Sequence, residues 1–195
     1  MPEPDLLDDL KIPFRTLGAA FEDYAKQHPD KTAIHSIDQD VSLSFSELRD
    51  LTDQVAARMI RDGVSQGDRV AILAGECIEK LILMFAAWRC GASACPFHAE
   101  IAPDHLASIL KTIEPALIVW RRGDLDGEVL TQGLDRPAHA YTSMDEADGY
   151  FSDLSDDTSS LPVAGSEYGP EDEGCIFATS GTTDRPKCVV WDQLG

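Results

Sequence analysis

The sequence has few basic residues. Only 16 Lys and Arg stand against 35 Asp and Glu, which gives a formal net charge of −19. Nucleic acids are bound through clustered Lys and Arg side chains that neutralise phosphates. The shortage therefore argues against a nucleic-acid partner, and the acidic excess favours a well-solvated surface.

Long apolar runs are also missing. No run approaches the roughly 18 residues that span a membrane, and the acidic start of the chain lacks the apolar core of a secretory signal. The cysteines form neither a C-x-x-C pair nor a Cys/His zinc spacing. They are Cys77, Cys90, Cys95, Cys175 and Cys188. Free cysteines in apolar stretches are typical of a reduced compartment. We predict no membrane contact, no metal ligands and a cytoplasmic location.

The middle of the chain alternates between strand and helix patterns. Residues 69–74, 93–97 and 116–121 are short apolar runs, and helical patterns cover 76–90 and 103–113. Nearly continuous apolar runs are typical of strands that are buried on both faces. The succession predicts an α/β fold with a largely parallel sheet flanked by helices.

Further elements are predicted on both sides of this region. A helix over 14–28 precedes a hairpin of two strands, 32–37 and 41–45. Ser46 is expected to cap the next helix, which Gly63 stops, and Gly91 is expected to stop the helix that follows residue 76. Residues 139–143 could form one more strand.

An acidic segment divides the chain. Residues 144–173 hold ten acidic residues and no Lys or Arg, as expected for a solvated surface connection. We divide the sequence into four parts: an N-terminal tail (1–13), an α/β subdomain (14–143), the acidic connection (144–173) and a last segment (174–195).

The last segment carries a hydroxyl-rich loop between two apolar strands. Five small residues, TSGTT, follow the strand sequence CIFA, and Asp-Arg-Pro-Lys leads into CVVW. Backbone N–H groups and hydroxyls can surround phosphate oxygens, and a Lys ammonium adds positive charge. Gly181 lets the backbone approach closely. The loop from Thr179 to Lys187 is therefore a candidate anion site.

Two other kinds of loop share some of these features. A P-loop of the nucleoside-triphosphatase type, G-x-x-x-x-G-K-[ST], is rejected because Pro186 stands at its second Gly and Cys188 at its hydroxyl residue. The segment after Lys187 is also a predicted strand, whereas the P-loop needs a helix. A plain Ser/Thr-rich hairpin turn is the remaining alternative.

The segment from Thr179 to Lys187 closely resembles T-S-G-T-T-G-x-P-K-G-V, the phosphate-binding signature of the acyl-adenylate-forming enzymes. That family includes acyl-CoA synthetases and the adenylation domains of peptide synthetases. Segments 43–48 (LSFSEL), 67–72 (GDRVAI) and 87–92 (AWRCGA) resemble other family segments in the same order. The likeness runs from about residue 14 to the end. Two positions depart from the signature: Asp184 and Cys188 both replace Gly.

The resemblance implies an activity. Family members activate a carboxylic acid with Mg-ATP, release pyrophosphate, and pass the acyl group to the thiol of coenzyme A or of a carrier-protein phosphopantetheine. The implied contacts of the ATP phosphates are Thr179, Ser180, Gly181, Thr182, Thr183 and Lys187, with Lys187 as the electrostatic member. No catalytic residue is assigned, and the small carboxylic acid is not identified.

The resemblance also predicts that the chain is a fragment. In the family, the adenine-binding segment, the ribose-binding Asp, the magnesium-binding acidic residue and most of the acyl pocket lie downstream of this loop. We therefore expect that the 195-residue chain does not complete adenylation alone. The alternative, which Asp184 and Cys188 favour, is a degenerate homologue that acts as a binding or interaction module.

Overall fold

The computed structural model describes residues 16–162, 169, 171–179 and 187–193. The helices are α1 (Leu17–Gln27), α2 (Phe45–Arg61), α3 (Ile78–Arg89), α4 (Pro103–Ile113) and α5 (Gly127–Thr131). The strands are β1 (Thr32–Ser36), β2 (Val41–Ser44), β3 (Arg69–Leu73), β4 (Ser93–Phe97), β5 (Leu117–Arg121), β6 (Ala138–Tyr141), β7 (Glu173–Thr179) and β8 (Lys187–Asp192).

Six of the strands form one sheet in the order β6-β5-β3-β4-β7-β8, and β1 and β2 form a separate antiparallel hairpin. Neighbouring strands run parallel from β6 to β7, and only β8 runs antiparallel, to β7. The predicted α/β fold with a largely parallel sheet is confirmed. Strand β3 is central, since Ile72 lies between Pro96 of β4 and Val119 of β5.

The central strands are buried on both faces, as their apolar runs predict. Successive side chains of a strand point to opposite faces. Val70 and Ile72 of β3 belong to the core under α2 and α3, whereas Ala71 and Leu73 belong to the core under α4. All four are 0% exposed. Full burial of each larger side chain contributes about 1.5–3 kcal/mol before the entropy cost of ordering it.

The start of α2 differs from the prediction. Ser44, not Ser46, is the N-cap: its hydroxyl accepts the backbone N–H of Glu47, and the Glu47 carboxylate accepts the backbone N–H of Ser44. This reciprocal pair is a capping box. The prediction was wrong because Ser44 and Ser46 both precede the helical pattern, and only the Glu three residues after the cap distinguishes them.

Two glycines end helices as predicted. Gly63 follows α2 with φ of 97°, and Gly91 follows α3 with φ of 78°. Only glycine adopts these left-handed angles without a steric cost. In the described part of the chain, no helix is long and apolar enough to cross a membrane.

The acidic connection is not wholly solvated, which corrects the expectation. Tyr150 is 1% exposed and Phe151 is 5% exposed, and both join the core under α2 and α3. The Tyr150 hydroxyl donates to Asp62 over 3.1 Å. Helix α5, a five-residue helix capped by Asp126, was not predicted. It is too short for a periodic pattern to reveal.

The β1–β2 hairpin is also bonded to α3, through the side chain of Gln39. The Gln39 side-chain oxygen accepts the backbone N–H of Ile78 over 2.8 Å, and its amide donates to Glu79 over 2.9 Å. An N–H at the start of α3 is thereby satisfied by a distant residue, and the buried Glu79 carboxylate gains a partner.

Candidate functional site

The predicted phosphate loop lies between β7 and β8. Thr179 ends β7, Lys187 begins β8, and the two residues are partners in the antiparallel register. Both are exposed. The Thr179 hydroxyl donates to the Lys187 carbonyl over 3.4 Å. A hydroxyl and an ammonium group therefore stand at the two ends of the loop, open to an incoming ligand.

Ser180, Gly181, Thr182 and Thr183 lie outside the described residues, and so does Asp184. Their roles stay predictions. The departure at Cys188 is described: the side chain is half-buried in β8, and burial raises the pKa of its thiol. A raised pKa disfavours the thiolate, which argues against a reactive thiol at this position.

Several contacts hold the base of the β7–β8 hairpin. Arg69 of β3 forms a bidentate ion pair with Glu173, in which the Nε–Oε1 and Nη2–Oε2 distances are both 2.8 Å. The Trp88 indole donates to the Gly174 carbonyl over 2.7 Å. Gly174 also lets Gln193 pack closely, since a Cβ there would come within 2.9 Å of its amide nitrogen. These contacts fix where Thr179 leaves the sheet.

The loop follows the carboxyl end of β7, which lies at the edge of the sheet where the parallel strands β3, β4 and β5 also end. Ligands of open α/β sheets bind at this edge. The order of strands switches direction between β3 and β5. There Asp124 accepts the backbone N–H of Gly75 over 2.8 Å, and this bond joins the two loops directly above the switch.

An open cavity lies one strand further along the same edge. Its volume is about 570 Å³, and its walls come from the start of α3, the end of β4 with the following loop, and the end of β7. Ala178, next to Thr179, forms part of the wall. The cavity therefore reaches the last residues of β7.

Charged groups line this cavity. The Lys80 ammonium donates to the Glu76 carboxylate over 2.9 Å, and this bond lowers the pKa of Glu76. His98, with 42% of its side chain exposed, lies 4.0 Å from Glu76 and 3.9 Å from Glu100. None of these residues was predicted to have a role. A Lys in the first turn of a helix was the one available indication of Lys80, because cations are disfavoured there.

Comparison with known proteins identifies the family. The sequence profile of the family described as AMP-binding enzyme matches residues 21–194. The chain belongs to this family. The match lies in the N-terminal part of the related proteins.

Two relatives and one solved structure illustrate the likeness. Oxalate–CoA ligase from Arabidopsis thaliana is 29% identical over 182 residues, which are 92% of this chain and 35% of the ligase. Phosphinothricin tripeptide synthetase PhsC from Streptomyces viridochromogenes is 29% identical over 185 residues, 93% of this chain and 16% of the synthetase. The N-terminal domain of FACL13 from Mycobacterium tuberculosis has the same fold, with a TM-score of 0.77 and 23% identity over 91% of this chain and 44% of its own.

The related proteins are much longer than this AMP-binding family member. The chain spans about a third of the length of the curated CoA ligases that it matches. The family match and the shared fold confirm the family that the loop motif predicted.

Proposed function

We propose that the chain is the N-terminal part of an ATP-dependent enzyme that activates a carboxylic acid. The parent enzyme forms an acyl-adenylate and then a thioester with coenzyme A or with a carrier-protein phosphopantetheine. The observation that carries the proposal is the TSGTT…PK motif at the β7–β8 turn of an AMP-binding family member. A CoA ligase and a peptide synthetase among its relatives support both kinds of acceptor.

In this proposal, the loop holds the β- and γ-phosphates of ATP. Its contacts are Thr179, Ser180, Gly181, Thr182, Thr183 and Lys187. The exposed, facing positions of Thr179 and Lys187 support it, because a hydroxyl and an ammonium group can approach one phosphate chain from both sides. Lys187 stabilises the negative charge that develops on departing pyrophosphate.

Magnesium is proposed only as the partner of the nucleotide. The described residues contain no group of three or more His, Cys, Asp or Glu side chains that could hold a metal ion. We propose that Mg²⁺ arrives as the Mg-ATP complex.

We further propose that these residues alone do not complete adenylation, since the related ligases are about three times as long. ATP–pyrophosphate exchange with a panel of carboxylic acids tests this point. Exchange at background level is expected. Robust exchange by the 195-residue chain would contradict it.

Nucleotide binding tests the phosphate site itself. Calorimetric titrations with Mg-ATP and with AMP should show ATP binding about tenfold more tightly, because only ATP carries the phosphates that meet the loop. Equal affinities for ATP and AMP would contradict the proposed role of the loop in phosphate binding. Absence of ATP binding would instead favour the alternative of a non-catalytic homologue, which the departures at Asp184 and Cys188 suggest.

A further inference from the structure

Tyr150 fastens the start of the acidic connection to a strand and to a helix. Its backbone N–H donates to the Ala140 carbonyl of β6 over 2.9 Å, and its hydroxyl donates to Asp62, next to the end of α2, over 3.1 Å. Burial raises the pKa of the Tyr150 hydroxyl, which therefore keeps its proton and stays a donor. The bond to the helix thus depends on the Asp62 carboxylate.

Three groups converge on a single oxygen of Asp62. Oδ2 accepts the Tyr150 hydroxyl, and it lies 3.8 Å from Arg58 Nε and 3.6 Å from His139 Nε2. At 3.6 Å a neutral imidazole makes no hydrogen bond, whereas a protonated one is a donor at both ring nitrogens. A carboxylate oxygen has about two lone-pair sites. A charged imidazole therefore competes with the Tyr150 hydroxyl for this oxygen.

The surroundings of His139 keep its ring neutral. The Tyr150 ring lies against it with a centroid distance of 5.2 Å, and 33% of the His139 side chain is exposed. Among the described residues, the charged groups that face it are Asp62 and Arg58 of α2, and Asp153 of the connection lies 4.0 Å from Arg58. Burial lowers the pKa of His139; Asp62 opposes this shift and Arg58 adds to it.

We propose that His139 and Asp62 form an acid-sensitive latch that holds the start of the acidic connection on the core. When His139 takes up a proton, its Nε2–H donates to Asp62 Oδ2 and displaces the Tyr150 hydroxyl. The connection then lifts at Tyr150, and water reaches the imidazolium ring. The latch does not depend on the proposed ATP chemistry, because none of its members belongs to the phosphate loop.

The sign of the pH effect follows from these contacts. The lifted connection solvates His139 and returns its pKa to about 6.5, whereas the closed connection lowers it. The advantage of the closed form is therefore complete above about pH 6.5 and is lost as the pH falls towards the lower value of the closed form. Acid opens the latch.

Amide hydrogen exchange of the 195-residue chain, followed by NMR and corrected for the intrinsic rate at each pH, tests the latch. The reporter is the Tyr150 amide, whose bond to Ala140 breaks when the connection lifts. Its protection should fall about tenfold between about pH 7.5 and about pH 5, the loss of one hydrogen bond to a charged group. The Ile118 amide, bonded to the Pro137 carbonyl before β6, should keep its protection.

Three variants sharpen the test. His139→Gln takes up no proton, so its Tyr150 amide should be equally protected at both pH values. His105→Gln is the matched control, at an exposed position in α4, and should retain the full acid effect. Asp62→Asn should lower the protection of Tyr150 already at neutral pH, because a neutral amide oxygen is a weaker acceptor than a carboxylate.

Each outcome decides the inference. A fall in Tyr150 protection that His139→Gln abolishes and His105→Gln keeps supports the latch. Equal protection at both pH values in the unchanged chain overturns it. An equal fall in the unchanged chain and in His139→Gln assigns the acid effect to another group, and a parallel loss at Ile118 shows that β6 itself opens. Either of these results also overturns the latch, and the proposed function stands in every case.

Discussion

Strands β3 and β8 have similar sequences and very different surroundings. Both are mainly apolar, RVAIL and KCVVWD. The four residues after Arg69 in β3 are 0% exposed, whereas Val190 is 55% exposed and Trp191 is 51% exposed. The number of neighbours makes the difference, since β3 pairs with two strands and two helix layers cover it, while β8 lies at an edge.

The comparison assigns stability mainly to the centre of the sheet and the proposed phosphate binding to its edge. The centre of the sheet buries apolar area and orders the fold. The edge hairpin buries little on the β8 side, but it carries the exposed Thr179 and Lys187. An exposed apolar edge strand is a liability in an isolated domain.

The largest effect is expected at the centre. Ile72→Ala removes a fully buried side chain that lies between β4 and β5. The lost burial and the cavity that remains should lower the free energy of unfolding by about 2–5 kcal/mol, as measured by urea titration. A loss below about 1 kcal/mol would show that the core repacks around the substituted side chain. It would contradict the claim that the buried centre of the sheet contributes most to stability.

An intermediate effect is expected where the centre meets the hairpin. The bond from Arg69 lowers the pKa of Glu173. Glu173→Gln should lower the free energy of unfolding by about 1 kcal/mol at pH 7, since both groups are partly exposed. The control is Glu128→Gln, at an exposed position in α5, which should have no effect.

The pH dependence of this loss has a definite sign. Because the pKa of Glu173 is lowered in the folded state, its stabilisation is complete above the unfolded value of about 4.3. It is lost as the pH falls through the lower folded value. Stability curves of the unchanged chain and of Glu173→Gln should therefore converge in acid. A difference that stays constant down to pH 2.5 would contradict the assignment.

The smallest effect is expected at the edge. Val190→Ala shortens a side chain that is 55% exposed and should change the free energy of unfolding by less than about 0.5 kcal/mol. Urea titration beside Ile72→Ala gives the direct comparison. Similar losses in the two variants would show that the edge is packed as tightly as the centre.

Much of the sheet could be predicted because its strands carry strong local patterns. Short apolar runs predict the buried strands β3 and β5, and glycines predict where α2 and α3 end. Both signals are local in the sequence. The cap at Ser44 could have been found from Glu47, three residues later. The buried Tyr150 and Phe151 could not, because their acidic neighbours mask two aromatic side chains that the core needs.

The candidate site likewise has a part that could be predicted from the sequence and a part that could not. The motif from Thr179 to Lys187 was visible because its residues are contiguous. The bonds from Gln39 to Ile78 and from Asp124 to Gly75 join residues that are far apart in sequence. No local pattern reveals such contacts, and the same holds for the cavity that Lys80 shares with the end of β7.

The most direct test of the phosphate site is the affinity of Lys187→Met for Mg-ATP, measured by titration calorimetry beside the control Lys111→Met, at an exposed position in the last turn of α4. Lys187 is exposed at the edge, so its replacement should leave thermal stability unchanged. The account predicts that Lys187→Met binds Mg-ATP at least about tenfold more weakly than the unchanged chain, while Lys111→Met binds normally. Equal affinity of Lys187→Met and the unchanged chain would contradict it.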